Sequence, residues 1–366
     1  MNSCCITDNR EYLRKFHDEA VRMRVPLIGG LELTGQCNLR CLHCYVGPRS
    51  LSDMQGLKEM ETGKILSVLD EITEAGCLNL LLTGGEPLLR KDFLAIYSHA
   101  KRNGLLVTVF SNGTMVTDEI VSLFAELPPQ AVEISLYGAT EETNDKITRT
   151  PGSHRKCLKG LRLLVDAGIR VKLKTVLMTM NRHEFFQIEK LAKELGVGFR
   201  FDAAIFPKLD GDKSPLSLRV SPEEAVDKEF SDPERLRRWK DHFNGFDPGP
   251  PQDGLYICGA GLKSFHIDSC GNLKPCVMTT SYSYDLLKGD FKSGWRDVMP
   301  LIREKKAGSE YNCRGCERAP LCGYCPAFFA LEKGREDLCS GYICEIGGTR
   351  FQKIKADTMN ASRQKW

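Results

Sequence analysis

The sequence predicts an α/β protein in two parts, and three observations predict it. Between residues 28 and about 206, short β-rich runs alternate six times with amphipathic stretches. Residues 207–254 interrupt that alternation with clustered Pro, Gly and Asp. From residue 255 onward the segments are short, rich in Gly and Cys, and only weakly periodic. Repeated strand–helix alternation implies a parallel sheet, either doubly wound or closed toward a barrel, with functional loops at the strand C-termini.

Residues 1–27 form an N-terminal helical segment, in which EYLRKFHDEAVRMR (11–24) reads as one polar helix. Six strands are expected in LIGGLELT (27–34), CLNLLLTGG (77–85), LLVTVFSNG (105–113), AVEISLYG (131–138), IRVKLKTVL (169–177) and VGFRFDAAIF (197–206). Between them, GKILSVLDEITEAG (63–76) and FFQIEKLAKELG (185–196) space their apolar residues by three and four and end in Gly, as helix C-termini often do. Residues 207–254 read as a connector around two helical pieces, 255–350 as a small domain with a metal core, and 351–366 as a tail.

The chain has 366 residues, 42% hydrophobic and 27% charged, which suits one large soluble domain plus a smaller one. With 51 Lys and Arg against 48 Asp and Glu, the balance argues for neither nucleic acid nor an anionic membrane as partner. No apolar run approaches a bilayer span, and the first residues lack a signal-peptide core. The expected location is the cytoplasm.

Cysteine is the outlier. Of 16, five lie in residues 1–44, two between 45 and 257, and nine in 258–344. Clustered thiols in a chain without an export signal point to metal rather than to disulfides. Cys37, Cys41 and Cys44 form a CxxxCxxC triad directly after the first strand. A structural zinc site needs a fourth ligand, and the only local candidate, His43, lies awkwardly between two of the thiols. An iron–sulfur cube normally takes four Cys, so three leave one iron open to a reactant.

The triad's spacing and position resemble those of the radical S-adenosylmethionine (SAM) enzymes. Thr83-Gly84-Gly85-Glu86-Pro87 after the second strand resembles that family's GGEP motif. Ser111-Asn112-Gly113 after the third, Ser135 after the fourth and Arg149 in NDKITRTPGS also fall at family positions. The resemblance implies a partial (β/α)6 TIM-like barrel over residues 28–206. It further implies that the open iron chelates the amino and carboxylate groups of SAM. Gly84 and Gly85 would then let backbone approach SAM, Glu86 accept from its ammonium, and Arg149 fork onto its carboxylate. Ser111, Asn112 and Ser135 would face its polar groups, and His43 would stand where the family often places an aromatic beside adenine.

The C-terminal cysteines run Cys258-x12-Gly271-x4-Cys276, then Cys313-x2-Cys316-x5-Cys322-x2-Cys325, then Cys339 and Cys344. Behind a radical SAM domain this series resembles the SPASM extension with its auxiliary iron–sulfur clusters. The last CxxC is one residue tighter than the family's usual spacing. Carried over by position, Cys258, Cys276 and Cys325 imply an inner cluster, and Cys313, Cys316, Cys322 and Cys344 an outer one. Cys270 is the expected fourth inner ligand, because a hairpin through Gly271 would bring it near Cys276. Cys339 either replaces Cys344 or is free, Cys77 and Cys157 are packing thiols, and Cys4 and Cys5 receive no role.

The resemblance implies three [4Fe-4S] clusters, SAM, and hydrogen abstraction from a peptide or protein, giving an oxidative modification such as a crosslink. It also implies an electron donor such as flavodoxin or ferredoxin. The segment before the first strand is too short for a leader-binding domain, so a separate leader-binding protein is expected, or direct recognition by the barrel mouth and connector. The alternatives are a small-molecule substrate such as a tetrapyrrole precursor, or an iron–sulfur electron carrier, which would not need the SAM-binding loops.

Overall fold

A computed structural model describes residues 9–46, 58–246 and 254–363. Helix α1 (Asn9–Arg22) precedes the first strand. Six strands and six helices then follow in chain order: β1 (Ile28–Glu32), α2 (Thr62–Glu74), β2 (Asn79–Thr83), α3 (Phe93–Arg102), β3 (Leu106–Ser111), α4 (Asp118–Glu126), β4 (Ala131–Ser135), α5 (Glu141–Thr148), α6 (Ser153–Asp166), β5 (Val171–Val176), α7 (Phe185–Glu194) and β6 (Gly198–Asp202). Each strand lies inside its expected segment. Thr117 and Thr140 cap α4 and α5 by accepting from Ile120 N and Thr143 N. All five pairings between β1 and β6 are parallel.

Apolar residues on one face of the strands meet the helices. Leu31, Leu80, Leu82, Val107, Val109, Ile134 and Leu173 pack with Ile65, Leu69, Phe124 and Leu161 in one buried cluster. Each such side chain contributes roughly 1.5–3 kcal/mol of burial. The other strand face looks into the lumen of an unclosed barrel.

Residues 207–246 contain helices α8 (Pro222–Phe230) and α9 (Pro233–Asn244). The chain then returns to the sheet through β7 (Ser264–Ile267), which pairs parallel with β1. The Gly-Gly in β1 is explained here. A Cβ on Gly29 would lie 2.8 Å from Phe265 Cε2 and one on Gly30 2.7 Å from His266 Nδ1, so glycine at both positions makes room for the β7 side chains. Strands β8 (Asn272–Lys274) and β9 (Tyr284–Asp285) add antiparallel, giving the order β6-β5-β4-β3-β2-β1-β7-β8-β9. The cysteine-rich region therefore begins as an extension of the barrel sheet.

It continues through α10 (Phe291–Asp297), α11 (Met299–Glu304), α12 (Ala319–Cys322), α13 (Pro326–Lys333) and α14 (Gly341–Arg363). Helix α14 runs unbroken past residue 350, so the expected boundary between domain and tail is not a break in structure. The connector is clamped to this region. Arg219 pairs with Glu332 at 2.6 Å and Arg350 with Glu229 at 2.7 Å, and α8 packs on α14. Among the described residues no helix is long and apolar enough to cross a membrane.

Candidate active site in the barrel lumen

The loop after β1 carries the triad and is held from three sides. From the β2 loop, Gly85 N donates to Thr34 O and Glu86 N to Gln36 O, both at 2.8 Å. From the end of α5, Thr148 O and Ile147 O accept from Arg40 N and Leu42 N. From the β3 loop, Asn112 Nδ2 donates to Asn38 Oδ1 at 2.9 Å, and Asn38 Nδ2 to Thr114 Oγ1 at 2.8 Å. A cysteine loop braced by backbone in this way is preorganised for a ligand rather than for a free surface.

Cys37, Cys41 and Cys44 act on one another electrostatically. Burial pushes the Cys37 thiol up to about 11 and Cys41 well above its ordinary value, and the Cys44 sulfur raises both further. Such thiols stay protonated until a metal displaces the protons. Among the described residues no three His, Cys, Asp or Glu are placed to hold a single ion.

The three thiols open onto a cavity of about 600 Å³, whose wall also includes His43, Gly84, Gly85, Ser111, Asn112 and Ser135. Nine of the expected residues thus converge on one space. His43 stands edge-on to Tyr137 at 4.3 Å, and burial pulls its pKa down to about 4, leaving a neutral imidazole. Its Nδ1 is buried without a hydrogen-bond partner among the described residues, a polar atom that a bound ligand can satisfy.

Placement departs from four of the expectations. Glu86 is fully buried and off the cavity wall. Its carboxylate accepts from Ser111 Oγ at 2.9 Å, Leu88 N at 3.1 Å and Asn112 N at 2.7 Å, so it braces the β2 loop against the β3 loop instead of facing an ammonium. Ser111 Oγ, which also accepts from Gly113 N, is committed to the same brace. Gly84 and Gly85 face backbone of this chain. A Cβ on Gly84 would lie 3.1 Å from Thr34 N and one on Gly85 2.5 Å from Gln36 C. Arg149 ends α5 in the left-handed region, exposed and off the cavity wall.

Sequence reasoning missed the lumen's charged side chains. Lys174 of β5 and Arg200 and Asp202 of β6 line the cavity with Phe110 and Tyr137. A signal was available, since strands of a parallel sheet are expected to be apolar on both faces, yet β5 reads VKLKTV and β6 GFRFD.

Two further thiol groups lie in the C-terminal region. Cys276 and Cys325 each feel Cys258 and are raised by burial, Cys325 to about 12. Cys313, Cys316, Cys322, Cys339 and Cys344 form a second group of free thiols, with Cys339 hydrogen-bonded to both Cys313 and Cys344. Cys339 therefore stands among the outer thiols. The β7–β8 hairpin does not bring Cys270 to Cys276. A hairpin juxtaposes residues equidistant from its turn, and Cys270 lies in the turn, while Cys276 follows the far end of β8 beyond the His266–Lys274 pair. Cys77 and Cys157 are buried in the core. Cys4 and Cys5 lie outside the described residues.

Residues 31–195 match the Radical SAM superfamily. The chain is 27% identical over 334 residues to the AdoMet-dependent heme synthase of Methanosarcina barkeri, covering 82% of this chain and 91% of that protein. It is 28% identical over 326 residues to the mycofactocin maturase MftC of Mycobacterium tuberculosis, covering 86% and 78%. The crystal structure of Streptococcus suis SuiB bound to the precursor peptide SuiA shares the fold, with a TM-score of 0.69 at 14% identity over 94% of this chain and 83% of that one.

Proposed function

The chain belongs to the radical SAM superfamily, with a SPASM-type cysteine-rich C-terminal region, and from that premise we propose that it takes hydrogen from a peptide or protein substrate in an oxidative modification. The observation that carries this reading is the convergence of Cys37, Cys41 and Cys44 with His43, Gly84, Asn112 and Ser135 on one cavity. When bound there, an iron–sulfur cluster with SAM supplies one-electron cleavage of the sulfonium to a hydrogen-abstracting 5′-deoxyadenosyl radical.

The chain's own residues hold and shape that chemistry. The three cysteines supply thiolates once their protons leave. Asn112 Nδ2 lies 4.0 Å from Cys37 Sγ and points a weak donor at it, while Asn112 N ties the same loop to Glu86. Neutral His43 adds no positive charge beside a sulfonium, and its Nδ1 and the Ser135 hydroxyl offer hydrogen bonds to adenosine. Arg149, at the end of the helix that backs the cysteine loop, can reach a carboxylate only by turning inward from solvent.

On this reading the two other thiol groups hold one [4Fe-4S] cluster each, three in all. Cys258, Cys276 and Cys325 serve the inner cluster; Cys313, Cys316 and Cys322, with Cys344 or Cys339, serve the outer. An external electron donor such as flavodoxin or ferredoxin completes the set, and a leader-binding protein is a further candidate partner.

Cavity size favours a peptide. Sites of roughly 300–1,000 Å³ take one small molecule, so a space of about 600 Å³ shared with SAM leaves room for a side chain rather than for a macrocycle. The relative named as a heme synthase makes a tetrapyrrole the second reading. The test is 5′-deoxyadenosine formation by reduced, reconstituted enzyme given SAM plus either a precursor peptide encoded beside its gene or iron-coproporphyrin. Stimulation by the peptide, with loss of hydrogen from its mass, supports the first reading. Stimulation by the tetrapyrrole alone replaces it with the second.

A further inference from the structure

Among the described residues, the lumen of the barrel holds a cation that no ion pair engages. Strands β4, β5 and β6 place Glu133, Lys172, Lys174 and Arg200 in mid-strand, and the register sets Glu133 opposite Lys172 and Lys174 opposite Arg200. Glu133 is only 5% exposed and is engaged twice, by Lys172 Nζ at 3.7 Å and Arg200 Nε at 3.3 Å. Lys174 feels Glu133 electrostatically but lies outside ion-pair distance of it. Its Nζ lies 3.1 Å from the centroid of the Phe110 ring, with the Arg200 guanidinium 5.6 Å from the same ring.

Among the described residues, no carboxylate is within ion-pair distance of that ammonium. Glu86 is felt electrostatically, but its oxygens are occupied by Ser111, Leu88 and Asn112. Asp202, also on the wall, accepts from Ala204 N. Three cations thus face two carboxylates, Glu133 and Asp202, in the strands around Phe110, and Lys174 is ion-paired with neither. An aromatic ring can support a cation but cannot cancel its charge, and an unpaired cation in a part-buried cavity favours either an incoming anion or loss of its proton. Burial accordingly pulls the Lys174 pKa down to about 7.

We propose that Lys174, with Arg200 beside it, receives a carboxylate of the substrate at the floor of the cavity. SAM also carries a carboxylate, but on the function proposed above its amino-acid end would sit with the three thiols beyond the end of β1. The Lys174 ammonium instead rests on Phe110, one residue inside the end of β3. An acidic side chain, a free peptide C-terminus and a tetrapyrrole propionate all present the same group. The inference rests on the cavity being the SAM-dependent reaction chamber, not on which substrate class enters it.

Competitive acetylation tests it with the intact, cluster-loaded enzyme under anaerobic conditions near neutral pH. Brief treatment with acetic anhydride is followed by mass spectrometry of Lys174, with exposed Lys190 as internal standard. The arms are no addition, SAM, SAM plus propionate, and SAM plus propionamide, the neutral isostere; SAM binding is measured separately by equilibrium dialysis. Propionate should lower Lys174 acetylation about threefold or more beyond SAM alone, propionamide should leave it unchanged, and Arg200→Met should weaken the propionate effect at normal iron content. Full protection by SAM alone would assign the site to SAM's own carboxylate and overturn the inference. Equal protection by acid and amide, or by neither, would also overturn it. Failure of SAM to bind at all would remove the reading of the cavity itself, and the inference with it.

Discussion

Gly85→Ala should dismantle the cysteine loop without touching a cysteine. A Cβ at this position would lie 2.5 Å from Gln36 C and 2.9 Å from Gly35 O. Both are backbone atoms, so no side-chain rotation relieves the contact. Reaching an ordinary separation of roughly 3.5 Å requires the two loops to part by about 1 Å. That would stretch the 2.8 Å bonds from Gly85 N to Thr34 O and Glu86 N to Gln36 O beyond hydrogen-bonding range. Each bond contributes about 1 kcal/mol, and overpacking strain adds about 1–3, giving a loss of roughly 3–5 kcal/mol. Because Cys37 directly follows Gln36, the displacement falls on Cys37, Cys41 and Cys44 and spares the C-terminal groups. Iron content after reconstitution should therefore drop by about four per chain, together with a lower denaturation midpoint. Gly63→Ala, where a Cβ meets nothing within 4 Å, is the control and should be neutral or slightly stabilising. Wild-type iron content and stability in Gly85→Ala would show that the β2 loop does not hold the cysteine loop in place.

Burial raises the Glu86 carboxyl from 4.5 to about 7, so the folded state holds this proton more tightly than the unfolded chain. Its stabilisation is complete at low pH and is lost as pH rises through about 7, by up to about 3 kcal/mol, and Glu86→Gln should flatten that fall in chemical denaturation curves relative to wild type. Arg219→Ala would strand Glu332 in a part-buried site and should cost roughly 3–5 kcal/mol in the same assay, whereas replacing both by apolar residues should cost less. Cys270→Ala should retain all cluster iron, while Cys339→Ala combined with Cys344→Ala should lose about four irons; the opposite pattern would show that the hairpin and the outer thiol group have been misassigned.

The six barrel strands were legible because each is a short β-rich run set between amphipathic stretches. Strands β7 to β9 were not, being two to four residues long inside cysteine-rich sequence, where no period can register. The cavity-lining residues could be read from motifs in order along the chain, but their atoms' partners could not. Spacing marks Glu86 and Ser111 as important without saying whether they face a ligand or each other. The same limit explains Cys270 and Cys339, since thiol proximity depends on hairpin register and on the start of α14, neither of which spacing encodes. Lys174 and Arg200 were passed over because charge in a strand reads as a solvated face until the helices on its other side are placed.

The most direct test of the account measures 5′-deoxyadenosine after anaerobic reduction of the reconstituted protein with SAM, comparing wild type with the triple variant of Cys37, Cys41 and Cys44 to Ala. Wild type should give product and the variant none, with the variant losing about four irons and keeping those of the C-terminal groups. Continued formation of 5′-deoxyadenosine by the triple variant would contradict it.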